Sequence, residues 1–140
     1  MTPAEIISAI SADPALQALV PDTSALAAAL SAGRTRIVST LVGVGRVMDC
    51  LGPTAGAQVL DALDALKPQV SPVKWAFILL ERGELDVGLE SVRAQIDTLT
   101  PAVFSADQAA AIKALAEAPA PVSEFEVRSA IFADNGSLRV

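Results

Sequence analysis

The sequence contains no histidine and no tyrosine, and its only cysteine is Cys50. Histidine is the commonest general base and the commonest metal ligand, so its absence removes most familiar catalytic arrangements. With one thiol and no imidazole, zinc or copper sites built from nitrogen and sulfur are excluded. A single cysteine forms no internal disulfide, so no oxidising compartment is implied. We therefore predict a protein that is not an enzyme, with no catalytic, cofactor-binding or metal-ligating residues.

The remaining motifs with chemical potential are weak. Gly43 to Gly45 resembles the start of a dinucleotide-binding loop, but Met48 occupies the place of the third glycine. We interpret these glycines as points of close helix packing or as a loosened helix start. Asp61 and Asp64 lie three residues apart and are interpreted as a solvated helix face. The segment Asp134 to Ser137 is typical of a turn and lacks the ligand pattern of a calcium loop.

Positive charge and long apolar runs are also scarce. Ten Lys and Arg residues face sixteen Asp and Glu residues, giving a net charge of −6. Phosphate binding needs clustered basic residues, so we predict no nucleic-acid partner. The longest strongly apolar run, Ala76 to Leu80, is far shorter than the roughly 20 residues that cross a bilayer. We expect no membrane segment and no signal peptide, and therefore a soluble cytoplasmic product or one that is assembled in the cytoplasm.

Apolar residues are nevertheless abundant. They make up 52% of the chain, and the mean hydropathy is +0.49. Much of this share is alanine, which favours helix and buries little area per residue. The composition indicates an Ala-rich helical core, with an extra apolar face that meets a partner as the alternative. At 140 residues the chain is long enough for one domain, predicted to span residues 1–140.

Helix boundaries are marked clearly along the chain. Pro3 stands at a first helical position, and Gly33 is placed to end a helix in the left-handed region. Capping boxes are predicted at Ser105 and Ser123, each with a Gln or Glu three residues later. The sequence predicts helices near residues 25–32, 44–51, 54–66, 73–82, 106–116 and 124–132. A first helix opens at Thr2, Pro3 and Glu5, a short one starts at Pro14 and ends at Pro21, and another carries the stripe Val92, Ile96 and Leu99.

The fold class predicted from this pattern is all-α, a compact multi-helix domain of about seven or eight short helices. Residues 34–42 include several β-branched side chains, which suit either a short extended segment or the start of a helix. Residues 138–140 follow the turn at Asp134 to Ser137 and either return as a strand or extend freely. A minor two-stranded element therefore stays open as an alternative.

The most apolar predicted helix, Val73 to Arg82, contains the only tryptophan. We interpret it as the central core helix. If any part of the chain contacts a partner, the candidates are the apolar segment Trp75 to Leu80 or the termini, through Trp75, Phe77, Leu138 and Val140.

Two arginines are predicted to form ion pairs within their own helices. Arg93 stands four residues before Asp97, and Arg128 stands four residues after Glu124. These spacings favour intrahelical pairs over anion binding.

Four segments are similar to a set of small proteins encoded in prophages and tailed phages of proteobacteria, most of them without an assigned function. They are Ala29 to Thr35 (ALSAGRT), Val73 to Ala76 (VKWA), Gly83 to Gly88 (GELDVG) and Ala133 to Leu138 (ADNGSL). The resemblance spans most of the chain and carries no functional residues with it. It implies a phage product, associated with the virion or with tail or fibre assembly.

The leading hypothesis is accordingly a phage-encoded structural or assembly protein that docks on another phage component through its helical apolar surface and termini. Its partner would be another phage structural protein, or a second copy in a homo-oligomer. Its location would be the virion or the host cytoplasm. The alternative is a small host-directed adaptor or regulator that binds a bacterial protein.

Overall fold

A computed structural model describes all residues from 1 to 140. Helices account for 59% of the chain, so the fold is mostly helical, but four short strands mean that it is not strictly all-α. The prediction of about seven or eight helices was slightly low, since nine are present. The helices are α1 (Pro3–Ala12), α2 (Pro14–Gln17), α3 (Thr23–Ser31), α4 (Val44–Leu51), α5 (Pro53–Leu66), α6 (Ser71–Glu81), α7 (Glu90–Thr98), α8 (Ala106–Ala114) and α9 (Glu124–Ile131). The strands are β1 (Thr35–Ile37), β2 (Leu41–Val42), β3 (Leu85–Asp86) and β4 (Glu117–Pro119).

Local capping fixes several helix ends. Both predicted capping boxes form, at Ser105 and at Ser123, and α1 begins with a third between Thr2 and Glu5. Each box satisfies backbone N–H groups that the first helical turn leaves without partners. After α3, Gly33 adopts a φ of 69°, the left-handed conformation predicted for it.

The chain divides into two compact units. Unit 1 contains residues Met1–Arg36 and Pro119–Val140, and unit 2 contains Ile37–Ala118. The chain passes between them within β1 and within β4. The second crossing lies in the proline-containing segment Ala118 to Pro121, whereas the first, between Arg36 and Ile37, has no proline beside it.

Unit 1 is a small helical cluster built from both ends of the chain. Helices α1 and α3 each pack on α9. Its core includes Ile6, Leu26 and Ile131, all fully buried. Ser31 accepts a hydrogen bond from the Val122 amide at 2.8 Å, which ties the end of α3 to the segment before α9.

Unit 2 contains the five helices α4 to α8 with strands β2 and β3. Helix α4 packs on α5 and α8, α5 packs on α6, and α7 packs on α8. The buried core draws one or more side chains from every helix: Val47, Val59, Phe77, Leu80, Ile96, Ala109 and Ile112.

Residues 34–42 and 138–140, for which the sequence left two conformations open, contain short extended stretches. Residues 34–42 include β1 and β2, and β2 pairs antiparallel with β3 through Leu41–Asp86 and Val42–Leu85. Leu138 forms an isolated antiparallel bridge with Phe132, so the chain after the turn does fold back.

Asp86 fastens the segment before β2 to the end of β3. Its carboxylate accepts hydrogen bonds from the Ser39 hydroxyl at 2.6 Å and from the amides of Thr40 and Gly88 at 2.9 and 2.8 Å. The bond from Ser39, together with those from the two amides, lowers the pKa of Asp86 below its ordinary value of 3.8. All three favour the ionised carboxylate.

This carboxylate makes stability depend on pH. A group whose pKa is lowered by folding adds stability above its unfolded pKa and loses it as the pH falls through the folded pKa. We expect the free energy of unfolding of the wild type to fall below pH 3.8, and to fall less steeply in Asp86→Asn. Urea unfolding at a series of acidic pH values measures both slopes. Parallel curves would contradict this role of Asp86.

Candidate functional site

Helix α6 has a buried face and an exposed apolar face. Val73, Phe77 and Leu80 follow one another at helical spacing and enter the core of unit 2. On the other side, Trp75 is 61% exposed and Leu79 is 39% exposed. Trp75 and Leu79 lie four residues apart, so they are neighbours on the helix surface.

Charged residues flank this apolar pair. Lys74 Nζ lies 5.0 Å from the centre of the Trp75 ring, within the range of a cation–π contact. Glu81 stands seven residues after Lys74, two turns along the same side of the helix, and both are exposed. We call Lys74, Trp75, Leu79 and Glu81 the α6 surface.

An apolar depression lies between α6 and α7. Pro72 and Val73 line it from α6, and Val92 and Leu99 line it from α7 and its end. A cavity of about 50 Å³ shares Val73, Val92, Gln95 and Leu99 with this depression, and Gln95 is its only polar lining residue. Pro72 is three residues from Trp75, so the depression adjoins the exposed apolar face of α6.

Unit 1 carries a second exposed apolar surface. Phe125, in the first turn of α9, is 77% exposed. Phe132, which follows the end of α9 two turns later, is half-buried against the core of unit 1, and Leu138, bridged to it, is 47% exposed. We call Phe125, Phe132 and Leu138 the α9 surface. Val140 lines a separate shallow depression in this unit with Ile10 and Val20.

Three of the four candidate interaction residues are exposed, and one is not. Trp75, Leu138 and Val140 have accessible side chains, whereas Phe77 is only 9% exposed and belongs to the core. The expectation for Phe77 needs correction, because it lies four residues after Val73 on the buried stripe. Phe125 was missed, although an aromatic residue between two glutamates in a first helical turn is itself a sign of exposure.

The predicted ion pairs within α7 and α9 are replaced by longer-range contacts. Arg93 lies 3.2 Å from Glu117 and donates to the Lys113 carbonyl at 2.9 Å. Asp97 is bound instead by the Lys113 ammonium at 2.6 Å. Glu124 accepts a hydrogen bond from the Thr23 hydroxyl at 2.7 Å. These contacts join separate elements of each unit and make Arg93 a structural residue.

Of the two glycines in the segment Gly43 to Gly45, only Gly43 lies at a point of close packing. A Cβ added at Gly43 would lie 3.0 Å from the Gly83 Cα, whereas one added at Gly45 would meet nothing within 4 Å. Asp64 pairs with Lys67 at 2.7 Å. No group of three or more acidic, histidine or cysteine side chains is placed to hold a metal ion.

None of the nine helices combines the length and apolar character needed to cross a bilayer. Comparisons with protein-family models, with curated proteins and with solved structures find no match for this chain. The α6 surface and the α9 surface are therefore the features of this chain that point to a function.

Proposed function

We propose that this chain is a phage-encoded structural or assembly protein, without enzymatic activity, that docks on another phage component through its exposed helical apolar surfaces. The observation that carries the proposal is the exposure of two large aromatic side chains on helices, Trp75 at 61% and Phe125 at 77%. Aromatic side chains are enriched at protein interfaces, and a few of them supply most of the binding energy.

Energetic reasoning supports a protein partner. Burying an aromatic or large aliphatic side chain fully contributes about 1.5 to 3 kcal/mol. The α6 surface exposes Trp75 and Leu79 four residues apart on one helix, and the α9 surface exposes Phe125 on its helix and Leu138 on the segment that follows it. Clusters of this kind favour docking of a folded partner over binding of a small polar ligand.

The phage context of the proposal comes from the resemblance of four sequence segments to small prophage and tailed-phage proteins. In that context the partner is another structural protein of the particle, and the chain is found in the virion or, before assembly, in the host cytoplasm. Two exposed surfaces suit a component that joins neighbours within an assembly.

Mass spectrometry of density-purified phage particles from the strain that encodes this chain tests the proposal. We expect the chain in many copies per particle, or bound to a structural protein in assembly intermediates. Its absence from both, together with recovery of a bacterial protein in a pull-down from infected cells, would overturn the proposal in favour of a host-directed adaptor.

Variants in the α9 surface sharpen this test. Phe125→Ala removes the most exposed aromatic ring and should lower incorporation into particles without lowering stability. Leu89→Ala, at a residue in unit 2 that is 52% exposed, is the matched control and should be incorporated normally. Equal incorporation of both variants would remove the α9 surface from the proposal.

A further inference from the structure

The α6 surface is complementary to itself. Trp75 and Leu79 lie at equal distances along the helix on either side of residue 77, and the pair Lys74 and Glu81 is centred at almost the same place. We propose that the α6 surface is a dimerisation site, at which a second copy of this chain packs its own α6 in the antiparallel direction about a twofold axis.

The apolar contacts follow from this symmetry. A twofold axis near residue 77 places Trp75 of each copy against Leu79 of the other. The same contact therefore occurs twice, as in any isologous interface. Both side chains are exposed in the single chain, at 61% and 39%, so pairing removes apolar surface from water on both copies.

The charges select the antiparallel direction. Lys74 and Glu81 lie two turns apart on one flank of α6. In an antiparallel pair related by a twofold axis, the flanks that carry Lys74 and Glu81 lie on the same side of the interface. Lys74 of each copy therefore meets Glu81 of the other, and the contact forms twice. A parallel pair related by a twofold axis would place these two flanks on opposite sides of the interface, so Lys74 and Glu81 would form no contact between the copies. Only the antiparallel pair joins opposite charges on this flank, and the antiparallel helix dipoles add to the preference.

This charge pattern identifies a second copy as the occupant. A surface that binds an unrelated helix does not need opposite charges at matching distances from its centre. The α6 surface has them, because Lys74 and Glu81 are placed symmetrically about its apolar centre. The inference rests on the proposed function only in that it assigns one of two surfaces to self-association. The α9 surface then remains for another phage component.

Charge reversal tests the pairing directly, with sedimentation equilibrium of the purified full chain as the measurement. We expect the wild type to be a dimer that dissociates on dilution. Lys74→Glu gives each copy two anions on this flank, and Glu81→Lys gives each copy two cations. Each variant alone should dimerise at least about tenfold more weakly than the wild type.

Mixing the two variants gives the decisive result. In the mixed pair both contacts join opposite charges, so an equimolar mixture should form a heterodimer of near wild-type affinity. The double variant Lys74→Glu/Glu81→Lys restores both contacts within one chain and should dimerise like the wild type. Circular dichroism melting confirms that all variants remain folded.

A third variant tests the apolar centre of the interface. Trp75→Ala should weaken the dimer by at least about tenfold, whereas Leu89→Ala should leave it unchanged. A wild type that stays monomeric at every concentration, or a mixture no more dimeric than its separate components, would overturn the proposal. The measurement uses no phage component, so these outcomes are independent of whether the chain is found in particles.

Discussion

Replacing Phe77 by alanine lowers the free energy of unfolding by about 3 to 5 kcal/mol. The ring lies in the core of unit 2 beside a cavity of about 50 Å³, so the truncation enlarges an existing space. It also removes the contact in which Lys67 Nζ lies 4.9 Å from the ring centre. Urea unfolding followed by far-UV circular dichroism measures the loss.

Trp75→Ala is the matched control, because it truncates a larger aromatic side chain two residues away on the exposed side of the same helix. Measured at concentrations where the chain is monomeric, it should change the free energy of unfolding by less than about 0.5 kcal/mol. A large loss in Trp75→Ala with little loss in Phe77→Ala would show that α6 is rotated relative to the arrangement described above.

Replacing Gly56 by alanine should destabilise unit 2 by about 1 to 3 kcal/mol. Gly56 lies in α5, and a Cβ at this position would stand 2.8 Å from the Met48 Cα in α4. The obstacle is backbone, so it cannot be relieved by a change of rotamer. The two helices would have to separate, and the buried contacts between them would be lost. Thermal or urea unfolding gives the difference from the wild type.

Gly45→Ala provides the control within α4. It introduces the same methyl group into a helix, but no atom lies within 4 Å of the added Cβ. Because alanine restricts the unfolded chain more than glycine does, this variant should be neutral or more stable by up to about 1 kcal/mol. Helix propensity favours alanine at both positions, so equal destabilisation by both variants would mean that the contact with Met48 does not set the cost at Gly56.

Features that depend on neighbouring residues could be predicted from the sequence. The capping boxes at Ser105 and Ser123 lie within four consecutive residues, and the helix stop at Gly33 depends on one φ angle. Helix α4 has the predicted bounds, and α5 begins one residue earlier than predicted. Short-range physical chemistry decides all of these positions.

Features that depend on distant residues could not be predicted in the same way. Arg93 pairs with Glu117 across 24 positions, and Thr23 bonds to Glu124 across 101. Helical spacing offered nearer partners for Arg93 and Glu124, but the packing of each unit brings other groups closer. The division into two units also depends on distant residues, because it is determined by which helices pack together.

The exposure of the candidate interaction residues could be predicted only in part. The apolar character of residues 73–82 predicted a central core helix. Trp75 within it is exposed, as an interaction residue must be. Phe77 was grouped with it by composition, although the two residues are 200° apart around a helix of 3.6 residues per turn. Assigning each to a face requires knowing which side of α6 meets α5, and this depends on tertiary packing.

The split of unit 1 between the two ends of the chain has a consequence for synthesis. Residues Met1–Arg36 leave the ribosome first, but α9, on which α1 and α3 pack, is made last. The intervening segment, Ile37–Ala118, takes about 4 to 16 s to translate at typical bacterial rates. During that interval Ile6, Ile10 and Leu26 have no α9 to cover them. All of unit 2 is therefore synthesised before the last helix of unit 1 is available.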